Sequence, residues 1–259
     1  FILYNFMRVI YNELDINQLN SISAFICSFA LSAKASKSYP PSSTDTTEFH
    51  REPKQSRSRA SLERLLRAAA DLLIEKGYAE FTLQEVSKRA NVSIGSIYNR
   101  FNSKENLIRQ VQRNELEALE VDSAVAINMI RRQNLKLRQL VPAVIRQYGD
   151  ILRKYQGILR PLMEISVVDE VVREIGKQHA WQNTEDFLKL LLECKDEITQ
   201  PDPTRAVHRG FMYAYSALSR FLGLGFVDST SGEEDWDEML EDLSEITLHY
   251  LLGHPDNIR

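Results

Sequence analysis

Residues Thr82 to Leu107 read TLQEVSKRANVSIGSIYNRFNSKENL, and their spacing decides the fold. Thr82 stands three residues before Glu85, the capping-box spacing in which each side chain satisfies an orphan amide at the start of a helix. A short helix therefore opens at Leu83. Leu83, Val86 and Ala90 recur at helical spacing while Gln84, Ser87, Lys88 and Arg89 take the remaining faces, giving one apolar side and one polar, basic side. Asn91 tolerates the left-handed backbone that ends a helix, and Ser93 is placed to cap the next one. The pattern is helix, tight turn, helix.

The second helix, expected over Ile94 to Phe101, sets Ile97 and Phe101 on one side and leaves Ser96, Tyr98, Asn99 and Arg100 accessible. That division suits a recognition helix. Its N-terminus carries unpaired amides, and Gly95 lets a phosphate backbone approach without an intervening side chain. Tyr98 can donate to a phosphate oxygen, while Asn99 and Arg100 can bond base edges or phosphates. Thr82 and Ser93, at the two helix starts, complete the candidate DNA-binding set together with Lys104, in the first turn of a helix that Ser103 caps. Lys104 is expected to make a further phosphate contact.

Charge is distributed accordingly. The 259-residue chain has a net charge of −4. Residues 51–113 nonetheless hold thirteen Lys and Arg against seven Asp and Glu, whereas residues 114–259 hold sixteen against twenty-five. A basic module joined to an acidic one is expected when only the first meets phosphate. Three segments follow: an N-terminal extension over 1–56, a helix-turn-helix domain over 57–113 and a helical domain over 114–259. Within the extension, Ser36 to Thr47 reads as a disordered linker. Ile22 to Ala33 resembles the apolar centre of a secretory signal, but Glu13 and Asp15 precede it with little positive charge. The basic run Arg51, Lys54, Arg57 and Arg59 lies just before the first expected helix, within reach of a DNA backbone.

From Leu62 onward the periodicity is helical, with no alternating run, so the fold class is all-α. Helices are expected over Leu62 to Lys76, Lys104 to Arg132, Leu137 to Lys154, Ile158 to Ile165, Asp169 to Glu193, Thr204 to Leu222 and Glu234 to Leu252. Gly77 is expected to stop the first, Gly157 to break the chain after Lys154, and a Ser231–Glu234 capping box to start the last. Cys27 and Cys194 are too few for a disulfide framework. His50, His179, His208, His249 and His254 form no close pair at ligand spacing, so no metal or other cofactor is implied. The chain has no glycine-rich phosphate loop, nucleophile elbow or H-E-x-x-H, and the reading is not an enzyme.

The helix over Leu62 to Lys76, the Gly77-Tyr78 and Phe81-Thr82 junctions, and the run Val92 to Leu107, of shape V-S-x-G-x-[IL]-Y-x-x-F-x-[SN]-K-E-x-L, together resemble the DNA-binding domain of the TetR family of bacterial transcriptional regulators. Two positions depart from the family pattern: Asn91 stands where a glycine is common, and Arg100 where a histidine often precedes the phenylalanine. The resemblance covers roughly Ser58 to Gln112 by motif, and the remainder by length and helical character. It implies an N-terminal three-helix DNA-binding domain followed by a larger helical domain for ligand binding and dimerisation. It further implies a cytoplasmic homodimeric repressor with a palindromic DNA operator and a small-molecule effector as partners, and no membrane. In such proteins the last two helices pair with their copies as a four-helix bundle, which points to Phe211, Leu218, Phe221, Met239, Leu243, Ile246 and Tyr250 as the dimer interface. Candidate ligand-binding residues are Tyr148, Leu152, Met163, Trp181, Phe187, Met212 and Tyr215, whose aromatic and thioether surfaces suit an apolar cavity. The alternative is a DNA-binding protein whose helical domain answers to a protein partner, with no small-molecule effector.

Overall fold

The computed structural model describes residues 52–224 and 235–253. Among them the secondary structure is helical, in the order α1 (Glu52–Glu80), α2 (Leu83–Ala90), α3 (Ile94–Tyr98), α4 (Lys104–Arg131), α5 (Leu137–Ile165), α6 (Glu170–Leu192), a short 3-10 turn (Lys195–Glu197), α7 (Pro203–Phe221) and α8 (Trp236–Leu252). The Ser36 to Thr47 linker and the Ser231–Glu234 capping box lie outside the described residues. None of the described helices is long and apolar enough to cross a membrane.

Local chemistry sets most helix ends. Thr82 and Glu85 form the expected capping box: the Glu85 amide donates to Thr82 Oγ1 at 3.3 Å, and the Thr82 amide donates to Glu85 Oε2 at 2.9 Å. Asn91 adopts the left-handed conformation (φ 52°), and its amide donates back to the carbonyls of Lys88 and Ser87. Ser93 and Ser103 cap α3 and α4. Asp169 caps α6, its Oδ1 accepting from the Val171 and Val172 amides at 3.0 and 3.1 Å. Asp235, directly before Trp236, caps α8 through the Asp237 and Glu238 amides.

Three elements differ from the expected ones. Helix α1 begins at Glu52, ten residues ahead of Leu62, so the basic run is partly helical. Helix α3 closes at Tyr98 with Asn99 as its C-cap, because the Arg100 and Phe101 amides both turn back to the Ile97 carbonyl. Helix α5 runs unbroken through Gly157 and carries Pro142 and Pro161 inside it. A mid-helix glycine costs only about 1 kcal/mol. Tyr148, Ile151, Leu152, Tyr155, Ile158, Leu162 and Ile165 are all buried along this helix, and that stripe outweighs the cost.

The larger domain packs α4, α5 and α6 against one another, with α7 and α8 against α6 and α5. Its centre is aromatic. The Tyr148 ring meets Phe187 and Phe211 edge-on, with centroids 5.1 and 4.7 Å away, and Phe187 is fully buried. Gly149 lets α5 approach α7 and α8, since a β-carbon there would stand 3.0 Å from Leu240 and 3.2 Å from both Leu218 and Trp236.

Within α1 the helical path breaks at Gly77, where φ is 72° and ψ 171°. That region of backbone space is essentially open to glycine alone. A β-carbon on Gly77 would meet nothing within 4 Å, so the obstacle to substitution is the backbone and not its surroundings. Gly77→Ala is expected to lower stability by about 1–3 kcal/mol, read as a reduced urea midpoint at unchanged slope. A midpoint equal to that of the parent would show that the break is not constrained.

Candidate nucleic-acid interface

The α2–α3 unit is built on a small apolar base. Val86 and Ile97 are fully enclosed, and Phe81, Ala90, Val92 and Phe101 close around them. Only three residues, Asn91 to Ser93, connect the two helices, so their geometry is fixed by the left-handed asparagine and the serine cap. On the outer side, Thr82, Ser93, Gly95, Tyr98 and Asn99 are exposed. Tyr98, although a large aromatic, is 51% exposed. No atom lies within 4 Å of where a Gly95 β-carbon would stand, so the backbone is open at the start of α3. Ser96 is half-buried, its hydroxyl 2.8 Å from that of Ser93. One neutral polar surface results, with hydroxyl, phenol, amide and open backbone side by side.

The two candidate cations, Arg100 and Lys104, have partners inside the fold. Arg100 donates to Ser61 Oγ at 3.1 Å and to the hydroxyl and carbonyl of Ser58 at 3.2 and 3.4 Å, which ties the end of the recognition segment to α1. Lys104, expected at a phosphate, is half-buried and donates to the Tyr78 and Phe81 carbonyls at 2.5 and 2.7 Å. Its ammonium lies 4.5 and 4.2 Å from the ring centres of the same two residues. Burial lowers its pKa, against the opposing pull of Glu105 and Glu85. The physical reason is the end of α1 at Glu80: the Tyr78 carbonyl in its last turn and the Phe81 carbonyl just beyond it have no later amide of that helix to accept from, and a cation there meets both orphan acceptors and the negative end of the helix dipole.

Further contacts connect this unit to the rest of the chain, and sequence reasoning missed them. Tyr78 donates its hydroxyl to Glu105 at 2.8 Å. Arg109 donates to Asp169 Oδ2 at 3.1 Å through Nε, and Gln112 Nε2 donates to the Val172 carbonyl at 2.8 Å. Asp169 was expected as the first residue of its helix and is instead its cap, and its pairing with a residue sixty positions away carries no local signal. On α1 and α2, Arg89 forms a bidentate pair with Glu75 at 2.7 Å, and Lys76 pairs with Glu85 at 2.5 Å.

Among the candidate ligand residues, the structure brings Phe187 and Tyr215 against Tyr148, which Phe211 also meets. Leu152 is buried one turn along α5 from Tyr148. Burial raises the phenol pKa of both tyrosines, so this centre is neutral. Met163, Trp181 and Met212 are half-buried, and Met163 lies about four turns beyond Tyr148 on α5, too far to share its surroundings. His179 pairs with Glu120 of α4 at 2.5 Å, away from that cluster.

The candidate dimer residues divide into two groups. Phe211, Leu218 and Phe221 are buried inside the subunit, with Phe211 against Tyr148 and Phe221 against Trp236. Met239, Leu243 and Tyr250 are half-buried on a strip of α8, and Ile246 on the same strip is 64% exposed. Tyr213 of α7, absent from the expected set, is exposed beside Tyr250 with ring centres 6.3 Å apart.

Residues 65–111 match the model for the family described as bacterial regulatory proteins, tetR family. No curated protein matches the chain. Among solved structures, the chain is similar to a transcriptional regulator from Rhodococcus sp. Rha1, with a TM-score of 0.56 and 18% identity over 74% of this chain and 96% of that one. It is similar also to a TetR transcription regulator from Haloarcula marismortui, with a TM-score of 0.54 and 17% identity over 74% and 97%. A tetR-family regulator from Syntrophomonas wolfei gives a TM-score of 0.52 and 14% identity over 76% and 97%. At these identities the likeness is one of fold.

The capping box makes a pH prediction. The Lys76 hydrogen bond first, then the Thr82 amide and hydroxyl, hold the Glu85 carboxyl at about 2, below its usual 4.5. A depressed carboxylate contributes stability above its unfolded value that is lost as pH falls through the folded one. Between pH 5 and pH 2 the melting temperature of the parent should therefore fall further than that of Glu85→Gln. Parallel declines would show that Glu85 is not held by these partners.

Proposed function

We propose that this chain, which carries a tetR-family DNA-binding domain over residues 65–111 within the fold of TetR-type transcriptional regulators, acts as a homodimeric repressor that reads a palindromic operator and responds to a small-molecule effector. The observation that carries the DNA reading is the exposed neutral surface of Ser93, Gly95, Tyr98 and Asn99 on two short helices whose caps and core fix their angle. Open amides and hydroxyls meet phosphates, and Asn99 meets base edges. Repression then needs no catalysis, since an occupied operator obstructs polymerase. Selection of binding sites from random duplex DNA should enrich an inverted repeat with half-sites one helical turn apart, about 10–10.5 base pairs. Asn99→Ala should change the selected bases, because a bidentate contact discriminates by about 1–3 kcal/mol. Failure to enrich any sequence would remove the DNA reading.

Two copies are needed because one five-residue recognition helix reads few bases, whereas a twofold pair multiplies its specificity. The α8 strip of Met239, Leu243, Ile246 and Tyr250, together with Tyr213, supports a self-association face: it is apolar, partly open and carried on the last two helices. Ile246→Glu places a charge on an exposed position, so the subunit folds while its association weakens. Sedimentation should show the parent as a dimer at micromolar concentration and the variant shifted toward monomer. Equal masses for the two would discard this face.

An effector entering between α5, α6 and α7 would displace the Tyr148, Phe187 and Phe211 rings and meet neutral phenols, which supports an uncharged, largely apolar ligand. Ligand control then follows from a preference for the subunit arrangement in which the recognition helices no longer fit the groove spacing. One observation favours the partner-regulated alternative. Val121, Val125 and Met129 lie at four-residue spacing on α4 and are 63, 53 and 62% exposed, forming an open apolar strip outside the α8 face.

A further inference from the structure

Helix α4 packs on α5 and α6 and buries Leu116, Leu119, Ala126, Ile127 and Ile130. Its outer side carries Val121, Val125 and Met129, each more than half exposed, with Ala118 and Ala124 exposed beside them. Glu117 precedes this strip by four residues and Arg132, the C-cap, follows it by three, so five positions succeed one another along the helix over about 22 Å. The borders of the strip are electrostatically closed. Asp122 takes Lys154 and the Tyr155 hydroxyl of α5, Glu120 meets His179 of α6, and Arg131 pairs with Glu193, the C-cap of α6. Its two ends differ: Glu117 and Arg132 are exposed, and neither forms an ion pair within the subunit among the described residues.

An apolar strip with an unpaired anion at one end and an unpaired cation at the other is complementary to itself turned end for end. Laid antiparallel about a twofold axis at Val125, two copies set Val125 against its own copy, Val121 against Met129, and Glu117 within reach of Arg132. A parallel pairing would instead oppose glutamate to glutamate and arginine to arginine. Ala118 and Ala124 add no bulk that would hold the two helices apart.

We propose that this face of α4 is a second self-association surface, whose occupant is α4 of another copy of this chain, packed antiparallel. It goes beyond the α8 dimer and lies on a different helix, so the two faces stand or fall separately. The strip is too small for a standard stable interface, and the contact is weak by itself. On the DNA-binding reading it acts where two dimers are already held on one duplex, because their joining is then intramolecular.

The full-length chain is sedimented from low micromolar to near-millimolar concentration, both as the parent and as Ile246→Glu, which takes the α8 face out of play. Val125→Glu brings two like charges together at the axis and should remove one association step in either background. Glu117→Arg and Arg132→Glu should each weaken that step about tenfold, since each opposes like charges twice per interface. The double variant Glu117→Arg/Arg132→Glu restores opposite signs and should return to within about threefold of the parent. Circular dichroism checks that each variant remains helical. Association unchanged by Val125→Glu overturns the proposal, as does a double variant no stronger than the single ones. A folded Ile246→Glu protein that stays monomeric throughout also overturns it, and leaves the strip to a partner of another kind. Loss of a step with Val125→Glu but none with Ile246→Glu upholds the α4 face and discards the α8 one.

Discussion

A helix that stops abruptly inside a fold leaves carbonyl oxygens that water cannot reach and that no later turn of the same helix will satisfy. At the end of α1 the chain turns through Gly77, and the Tyr78 and Phe81 carbonyls converge on the Lys104 ammonium, with the two aromatic rings of the same residues around it. Much of the DNA-binding domain follows from that arrangement. Phe81 lies beneath α2 and α3, Thr82 next to it opens α2, and Lys104 is the first residue of α4. One cation thus relates the directions of three helices. Replacing its partners by water would expose Phe81, one of the largest fully buried side chains in the fold.

Helix α4 extends this relation into the second domain. Its first turn is held by Lys104 and by the Tyr78–Glu105 hydrogen bond, and its next two turns by Arg109 and Gln112 against the start of α6. Beyond them Leu116, Leu119, Ala126, Ile127 and Ile130 are buried along the rest of its length. The N-terminal part of α4 is thus bound by directional polar contacts and the C-terminal part by apolar packing. Packing tolerates small slides of one helix on another, whereas hydrogen bonds of this kind hold a register.

What the sequence made legible was the part governed by neighbours a few residues apart. The Thr82–Glu85 box, the left-handed Asn91, and the Ser93 and Ser103 caps each depend on groups within one turn, and residue type and spacing suffice to read them. The alternation of Ile97 and Phe101 with Tyr98 and Asn99 was legible for the same reason. Partners at long separation were not. Arg100 and Lys104 looked like free cations because the serines and carbonyls they hold lie 23 to 42 positions earlier. Gly157 looked like a stop because a glycine weighs against a helix locally, while the burial of Ile158, Leu162 and Ile165 is decided by other helices. Phe211 and Phe221 looked like interface residues because apolar periodicity does not say which neighbour covers a face, and Tyr148 and Trp236 cover them from within.

Asp169 illustrates how such a fold distributes cooperativity. One of its carboxylate oxygens receives the first amides of α6, and the other receives the Arg109 guanidinium of α4. Fraying of α6 by a single turn would release the carboxylate from its cap and let the arginine follow it; a tilt of α4 that draws Arg109 away would in turn leave the cap more exposed to water. Two helices sixty residues apart in the chain therefore share one melting boundary. Local opening at the α5–α6 corner is then felt as a loss of order in the turns of α4 that carry the DNA-binding domain, without any rearrangement of the aromatic centre between them.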